Sequence, residues 1–367
     1  MQPKVMTVQQ NAAGVWGAPR FSILPPRLGA RGLTLDTCFP IIYDIYRGWG
    51  HIPLMKDKRV VISGGAGFIG SNIAEELSTD NEVIIIDDLS SGRIQNIQHL
   101  TKRSNVSFIQ GSITDLSLLH KAFAGADYIF HQAALASVPL SIDDPLRTNA
   151  VNVVGTLNVL VTARDSHVKK VIFASSCAIY GDTPTLPARE EMPLNPLSPY
   201  AVTKAAGEQY CSVFHHVYGL PTVCLRYFNV YGPRQDPKSE YAAVVPKFIT
   251  AALAGRPLTI FGDGKQTRDF VFVKDVVSAN VFAAESDAAG AFNIGSGRQT
   301  SVIDLANLVL RLTGRDVAPL YHPTKAGEIR HSFADISRAR ESGYSPQHNL
   351  EQGIKKTVSS LEAPPIP

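Results

Sequence analysis

The chain has 367 residues, of which 44% are hydrophobic and 18% charged, which is typical of a soluble globular protein with a sizeable core. Its formal net charge of +3 gives no reason to expect nucleic acid or a membrane surface as a partner, and no stretch reaches the roughly 18 consecutive apolar residues of a membrane-spanning helix. The four cysteines are far apart without a CxxC pair, which argues against a metal site or a disulfide framework and favours a reducing, cytoplasmic location.

The N-terminal segment differs from the rest of the chain. It carries Pro, Gly and Arg without a clear period, and it lacks the charged and apolar regions of a signal peptide. We interpret residues 1–56 as a flexible extension, or as the product of an upstream start codon with Met55 as the first residue.

From Lys58 onward, short aliphatic runs alternate with segments of helical length. Strands are predicted at 60–62, 83–86, 106–109, 128–130 and 171–173, and helices at 69–78, 115–123 and 146–166. Because strands that alternate with helices form βαβ units, this pattern predicts an α/β fold with a Rossmann-type doubly wound parallel sheet. We assign the sheet to a dinucleotide-binding domain over residues 57–235, to which some later segments return.

A glycine-rich turn joins the first predicted strand to the first helix. Gly64, Gly67 and Gly70 have the GxxGxxG spacing that lets a backbone approach a pyrophosphate at a helix N-terminus. Asp87 ends the next strand, where a carboxylate suits the hydroxyls of a ribose and repels a 2′-phosphate. The sequence therefore predicts an NAD site and favours NAD over NADP.

Two further motifs carry hydroxyl and amine groups. Ser175 and Ser176 follow the strand at 171–173, and Tyr200 and Lys204 lie four residues apart, on one face of a predicted helix. A phenol with a pKa of about 10 is a weak base at neutral pH, but a nearby ammonium stabilises its phenolate. Since ligands bind at the carboxyl ends of such strands, we expect these groups to converge beside the cofactor.

Beyond residue 235 the alternation loosens. Segments 244–254 and 302–313 read as helices and 258–261 as a short strand. This pattern predicts a smaller C-terminal α/β lobe, mainly over residues 236–367, that binds the substrate.

Eight motifs from about Lys58 onward, taken in chain order, resemble those of the extended short-chain dehydrogenase/reductase family. The resemblance is specifically to nucleotide-sugar epimerases of the UDP-glucose 4-epimerase type. The motifs are GGAGFIG (64–70), DDLSSG (87–92), HQAALASVP (131–139), SSCAIYG (175–181), YAVTK (200–204), LRYFNVYGPRQDP (225–237), GDGKQTRDFVFV (262–273) and GEIRHSFADISRA (327–339).

The resemblance implies a role for particular residues. Ser176, Tyr200 and Lys204 take the catalytic positions. The implied NAD site contains Gly64, Gly67, Phe68, Ile69, Gly70, Asp87, Ser91, Ile113, Ala133, Ala134, Leu135 and, at the nicotinamide end, Phe228. The implied substrate contacts are Ser176, Asn229, Val244, Phe261, Arg268, Lys325 and Ser332, with Lys325 at a position usually held by arginine.

The implied reaction is a reversible inversion at C4 of a UDP-hexose through a transient 4-keto sugar. A serine at position 332 leaves room for UDP-GlcNAc and UDP-GalNAc as well as UDP-glucose and UDP-galactose. The alternatives are a UDP-glucuronate 4-epimerase, another nucleotide-sugar dehydratase or decarboxylase, and a non-enzymatic NAD-binding protein. Dehydratases need acidic residues after the serine, whereas this chain has Cys177 and Ala178.

The resemblance also implies a homodimer formed by the helices at 146–166 and 200–219. The apolar residues Val202, Ala206, Tyr210 and Val213 recur at helical spacing, a pattern that equally suits packing on the sheet.

Overall fold

The computed structural model of the protein describes residues 55–237, 243–324 and 329–362. Its strands follow the chain in this order: β1 (Arg59–Ser63), β2 (Glu82–Asp87), β3 (Val106–Gln110), β4 (Tyr128–His131), β5 (Lys170–Ser176), β6 (Thr222–Tyr227), β7 (Asn229–Tyr231), β8 (Thr259–Phe261), β9 (Thr267–Arg268), β10 (Phe270–Phe272), β11 (Gly290–Ile294), β12 (Thr300–Ser301) and β13 (Leu320–His322).

The α-helices of the described residues are α1 (Phe68–Leu77), α2 (Leu116–Ala122), α3 (Val138–Asp143), α4 (Pro145–Asn149), α5 (Gly155–Asp165), α6 (Pro199–Tyr218), α7 (Val244–Leu253), α8 (Val273–Glu285), α9 (Val302–Thr313), α10 (Ser337–Glu341) and α11 (Leu350–Glu362). A π-turn over Ala150–Val154 joins α4 to α5, and short 3₁₀ helices cover Ile94–Asn96 and Cys177–Tyr180. No helix in this part of the chain is long and apolar enough to cross a membrane.

The main sheet of the described residues has seven parallel strands in the order β11-β6-β5-β4-β1-β2-β3. The chain moves outward from β1 through β2 to β3, and then crosses to β4 on the other side of β1. This order is that of a doubly wound sheet, and the reversal beside β1 opens a crevice at the carboxyl ends of the strands. The predicted fold class is confirmed.

Apolar side chains cover both faces of this sheet. Ile62, Ile85 and Phe130 belong to one buried cluster, whereas Val61, Ile129 and Phe173 belong to another. Neighbouring residues of one strand therefore point into opposite cores, which explains why these strands read as continuous aliphatic runs.

The structure adds elements that the sequence pattern did not predict. Helix α8 and strand β11 lie in the region where the alternation loosens, and β11 pairs with β6 at the edge of the main sheet. The predicted helix at 146–166 is interrupted by the π-turn at Ala150–Val154. A third buried cluster combines α7, α9 and α11 with β8 and β10. The boundary predicted at residue 235 stays a prediction, and residues 1–54 of the predicted extension lie outside the described residues.

Candidate active site

The glycine turn between β1 and α1 is built for close approach. Gly64 has φ +72°, in the left-handed region, and a Cβ atom there would lie 2.5 Å from the backbone nitrogen of Ala133. A Cβ atom on Gly70 would lie 2.8 Å from the Cα atom of Gly65, so the third glycine lets α1 pack against the turn. Gly67 is the N-cap of α1, where the unpaired amide groups of the helix begin.

Asp87 lies at the carboxyl end of β2, next to this turn. Its carboxylate accepts hydrogen bonds from the backbone amides of Ala66 and Leu89, both at 2.9 Å. Burial raises the pKa of the carboxyl group, and these amide hydrogen bonds oppose the shift. Asp87 thereby holds the glycine turn through the Ala66 amide, and its carboxylate oxygens face the crevice at the carboxyl ends of the strands.

A cavity of about 310 Å³ occupies the crevice at the ends of β1, β2 and β4. It is lined by all but one of the predicted cofactor residues, namely Gly64, Gly67, Phe68, Ile69, Gly70, Asp87, Ser91, Ile113, Ala133, Ala134 and Leu135. The cavity fits NAD in two ways. The glycine turn, which side chains would fill, and the N-terminus of α1 suit the pyrophosphate, and the carboxylate at the end of β2 suits the ribose.

Phe228 is the exception among the predicted cofactor residues. It is buried beside Ile179 and Ala334, with its ring centre 6.4 Å from that of Tyr180, and it is not among the residues that line this cavity. The cavity residues that were not predicted include Gln132 and Tyr227. Both join a hydrogen-bonded cluster with Asn280, in which the Asn280 amide donates to the Tyr227 hydroxyl at 2.8 Å.

Tyr200 and Lys204 project from the first turns of α6 and line the same cavity as the glycine turn. The Ser198 hydroxyl caps the helix by accepting from the amide of Ala201 at 3.2 Å, and Pro199 begins it. Lys204 is buried, and its Nζ atom donates to the carbonyl of Ala174 at 2.7 Å and lies 5.9 Å from the centre of the Tyr200 ring. The predicted convergence of the Tyr-Lys pair with the end of β5 is therefore present.

Burial shifts the two groups in opposite directions. It raises the pKa of the Tyr200 phenol to about 12, while a hydrogen bond with the Ser176 hydroxyl acts to lower it. It lowers the pKa of the Lys204 ammonium to about 8. An ammonium with this pKa loses its charge before a phenol with a pKa of about 12 titrates, so the protein alone keeps the phenol neutral at pH 7.

Ser176 ends β5 and begins the 3₁₀ helix Cys177–Tyr180, with its hydroxyl accepting from the amide of Ala178 at 3.2 Å. The next side chain, Cys177, carries a thiol whose pKa is raised to about 12 by burial. Ala178 has no acid to offer. The segment therefore presents one hydroxyl and no ionised group next to the phenol of Tyr200.

A second cavity of about 790 Å³ lies between α7, β8 and β9. Four predicted substrate residues line it, namely Asn229, Val244, Phe261 and Arg268. Ser332 does not line it but is adjacent, because its amide donates to the carbonyl of Thr267 at 3.2 Å. Lys325 lies outside the described residues.

Asp269 supports this cavity and was not predicted. The buried carboxylate accepts from the amide and the hydroxyl of Ser296, both at 2.6 Å, and from the amides of Gly297 and Ala334. It thereby ties β9, which carries Arg268, to two loops. An acid directly after an arginine was the available signal, but its partners come from distant segments.

Asn152 is another residue that the sequence analysis missed. It lies in the π-turn, where its side chain accepts from the amide of Leu135 at 2.8 Å and donates to the Thr203 hydroxyl at 3.0 Å. The turn thus links the cavity loop at Leu135 to α6, and π-turns within helices often occur at such functional sites. No group of three or more His, Cys, Asp or Glu side chains among the described residues could hold a metal ion.

Comparisons with known proteins agree with this geometry. The family model described as "NAD dependent epimerase/dehydratase family" matches residues 60–295. A curated UDP-glucose 4-epimerase from Mycolicibacterium smegmatis is 43% identical over 305 residues, which are 82% of this chain and 97% of that protein.

Two solved structures are also similar. A UDP-N-acetylglucosamine 4-epimerase from Methanobrevibacter ruminantium, in complex with UDP-N-acetylmuramic acid, is 44% identical with a TM-score of 0.82, covering 84% of this chain and 99% of its own. A UDP-glucose 4-epimerase from Thermotoga maritima with UDP-glucose is 40% identical with a TM-score of 0.79, covering 83% and 98%. The chain belongs to the NAD-dependent epimerase/dehydratase family, as one of its nucleotide-sugar epimerases.

Proposed function

We propose that the protein inverts C4 of UDP-glucose and UDP-galactose, with UDP-GlcNAc and UDP-GalNAc as further substrates. The observation that carries the proposal is the meeting of Tyr200 and Lys204 with the glycine turn in one cavity, with Lys204 bonded to the end of β5, the strand that carries Ser176. A base, a hydroxyl and a dinucleotide site in one place suit the oxidation and re-reduction of a sugar carbon.

In this proposal Tyr200 as phenolate takes the proton of the 4-hydroxyl, and Ser176 orients or relays it. Lys204 contributes positive charge that favours the phenolate. NAD, when bound, supplies a reversible acceptor for the hydrogen on C4. After the keto sugar turns in the pocket, the same hydrogen would return to the other face of C4, and Tyr200 gives its proton back to the 4-oxygen, so each residue ends in its starting state.

The residues after Ser176 favour epimerisation over elimination of water. Dehydration needs an acid for the departing C6 hydroxyl and a base for the C5 proton. Cys177 is a neutral thiol, with a pKa raised to about 12 by burial, and Ala178 has no titratable group. The 4-keto sugar therefore lacks a carboxyl partner at these positions and is reduced again.

The second cavity is the proposed site of the UDP group. Arg268 lines it, and a planar guanidinium matches the oxygen geometry of a diphosphate. Phe261 and Val244 add apolar surface suited to a base, and Asn229 adds an amide. Lys325 is proposed to approach the diphosphate, and Ser332 to border the sugar and leave room for an N-acetyl group. The similar proteins include a UDP-glucose 4-epimerase and a UDP-N-acetylglucosamine 4-epimerase, which supports a substrate range that covers plain and N-acetylated sugars.

We also propose a homodimer, through the surface formed by α4, the π-turn and α6. Apolar side chains are exposed there in the protomer: Leu146 is 83% exposed, Val202 52% and Val217 67%, with Val154 and Val213 also exposed. This exposure favours partner contact over the alternative that Val202 and Val213 pack on the sheet. The cytoplasmic location stays a prediction from the cysteine spacing.

The test is turnover of UDP-glucose, UDP-GlcNAc and UDP-glucuronate in separate reactions, followed by NMR of the C4 epimers. We expect interconversion of the first two and no reaction of the third. Tyr200→Phe should abolish turnover, whereas Tyr210→Phe, which removes a phenol from the same helix, should not. Turnover of UDP-glucuronate, with or without loss of CO₂, would favour the alternative enzymes, and absence of turnover on all three would favour a non-enzymatic NAD-binding protein.

A further inference from the structure

Two turns of α6 are bonded to two consecutive residues of β5, directly before Ser176. The Lys204 ammonium donates to the carbonyl of Ala174 at 2.7 Å. One turn later, Glu208 accepts a hydrogen bond from the Ser175 hydroxyl at 2.5 Å. Tyr200 lies on the same face of α6, one turn before Lys204. These two bonds therefore fix the position of the helix turn that carries Tyr200 relative to the end of β5.

Glu208 is itself held from the neighbouring strand. Arg226 lies opposite Ser175 in the register of β5 and β6. Its guanidinium donates to both carboxylate oxygens of Glu208, at 2.9 and 2.7 Å, and both side chains are only 6% exposed. A bidentate, buried pair of this kind allows little freedom of position, because each charge depends on the other.

The same guanidinium reaches the far end of the segment that carries Ser176. Arg226 Nη1 donates to the Tyr180 hydroxyl at 2.8 Å, and Tyr180 donates to the amide oxygen of Asn293 at 2.7 Å. Tyr180 closes the 3₁₀ helix that begins after Ser176. The Glu208–Arg226 pair is therefore hydrogen-bonded to the chain on both sides of Ser176, at Ser175 and at Tyr180.

We propose that Ser175, Glu208 and Arg226 are positioning residues that set the Ser176 hydroxyl against the Tyr200 phenol. The inference depends on the roles proposed above for Ser176 and Tyr200. Glu208 and Arg226 do not line the cofactor cavity, and none of the three lines the second cavity. Ser175 does line the cofactor cavity, directly before Ser176. The effect of Glu208 and Arg226 on the reaction therefore passes through the end of β5 that carries Ser175 and Ser176, and it concerns the chemical step more than substrate binding.

The first experiment compares two variants of the holoenzyme that each remove one buried hydroxyl between α6 and its strands. Ser175→Ala removes the bond next to Ser176. Thr222→Val is the matched control: Thr222 is equally buried and donates to the carbonyl of Cys211 at 2.8 Å, but it lies at the opposite end of β6. We expect Ser175→Ala to lower kcat about tenfold or more with KM within about twofold, and Thr222→Val to leave kcat unchanged.

The second experiment is a double-mutant cycle on kcat with Ser175→Ala and Glu208→Gln. The glutamine keeps an acceptor for Ser175 but loses the charge that binds Arg226. If both residues act through the position of Ser176, the double variant should be little slower than the slower single variant.

The inference is overturned if Ser175→Ala has the kcat of an active wild-type enzyme, whatever its melting temperature, or if the two losses multiply. The comparison of Ser175→Ala with Thr222→Val decides the question even if Glu208→Gln does not fold. An inactive wild-type protein would instead refute the proposed function, and the inference with it.

Discussion

Replacement of Lys204 by methionine should move the pH dependence of turnover to higher pH. Burial raises the pKa of the Tyr200 phenol to about 12, so only about one molecule in 10,000 carries the phenolate at pH 8 in the protein alone. Half-deprotonation at that pH requires about 5 kcal/mol of additional phenolate stabilisation. The positive charge of bound NAD would supply part of this. The Lys204 ammonium, with Nζ 5.9 Å from the ring centre, keeps the required amount from being larger.

The distance from the Lys204 Nζ atom to the ring centre sets the order of magnitude of its contribution. At an effective dielectric constant near 20, two unit charges about 6 Å apart interact by about 3 kcal/mol, or about two pH units. The ammonium has a pKa of about 8, lowered by burial, so it is charged below pH 8 and its help is lost above. In the holoenzyme, where the positive charge of NAD would bring the phenol into the pH range in which Lys204 is charged, Lys204→Met should shift the rising limb of the kcat–pH profile upward by about two units.

The assay is kcat measured from pH 6 to 10, with bound NAD quantified at each pH. Lys170→Met is the control, because Lys170 is also buried on β5 but donates to the carbonyls of Ala283 and Ser286 at the end of α8. Lys170→Met should lower the stability of the protein and leave the rising limb of the kcat–pH profile at its wild-type pH. If the Lys204→Met enzyme has a lower kcat but the rising limb of its kcat–pH profile lies at the same pH as in the wild type, the electrostatic role of Lys204 is refuted.

Three further predictions concern the cofactor cradle and the proposed dimer. Asp87→Asn should weaken NAD binding and reduce the preference for NAD over NADP, as measured by chromatography of the cofactor released from purified protein; unchanged preference would contradict the role of the carboxylate. Gly70→Ala should lower the free energy of unfolding by about 1–3 kcal/mol in urea titrations, because the new Cβ atom would lie 2.8 Å from Gly65 Cα; wild-type stability would contradict this packing. Leu146→Asp or Val202→Asp should yield folded monomers in light scattering, since both side chains are exposed in the protomer; an intact dimer would place its interface elsewhere.

Local patterns predicted the features that depend on neighbours in the chain. The glycine turn follows directly after β1, where Gly64 has the positive φ that a tight turn requires, and Asp87 is the last residue of β2. The order of the motifs along the chain therefore places both at the ends of neighbouring strands. Tyr200 and Lys204 lie one turn apart, so their common face follows from helix geometry alone. These residues line the cavity as predicted.

Features that depend on distant segments could not be predicted in this way. Ser175, Glu208 and Arg226 are separated by 33 and 18 positions, and only the pairing of β5 with β6 brings them together. Asp269 and Asn152 likewise satisfy buried groups from remote loops. The sequence also could not reveal that the Lys204 ammonium bonds to the carbonyl of Ala174, since a backbone acceptor leaves no trace in side-chain pattern.

The measurement that tests the account most directly is the fate of the hydrogen on C4. UDP-glucose labelled with deuterium at C4 is incubated with the enzyme in ordinary water, and the UDP-galactose formed is examined by NMR and mass spectrometry. Removal and return of the same hydrogen in one closed site predicts that the product keeps the label at C4, and that unlabelled substrate in D₂O gains none there. Loss of the label to solvent, or a product lacking one molecule of water, would contradict epimerisation through Tyr200, Ser176 and a transient 4-keto sugar.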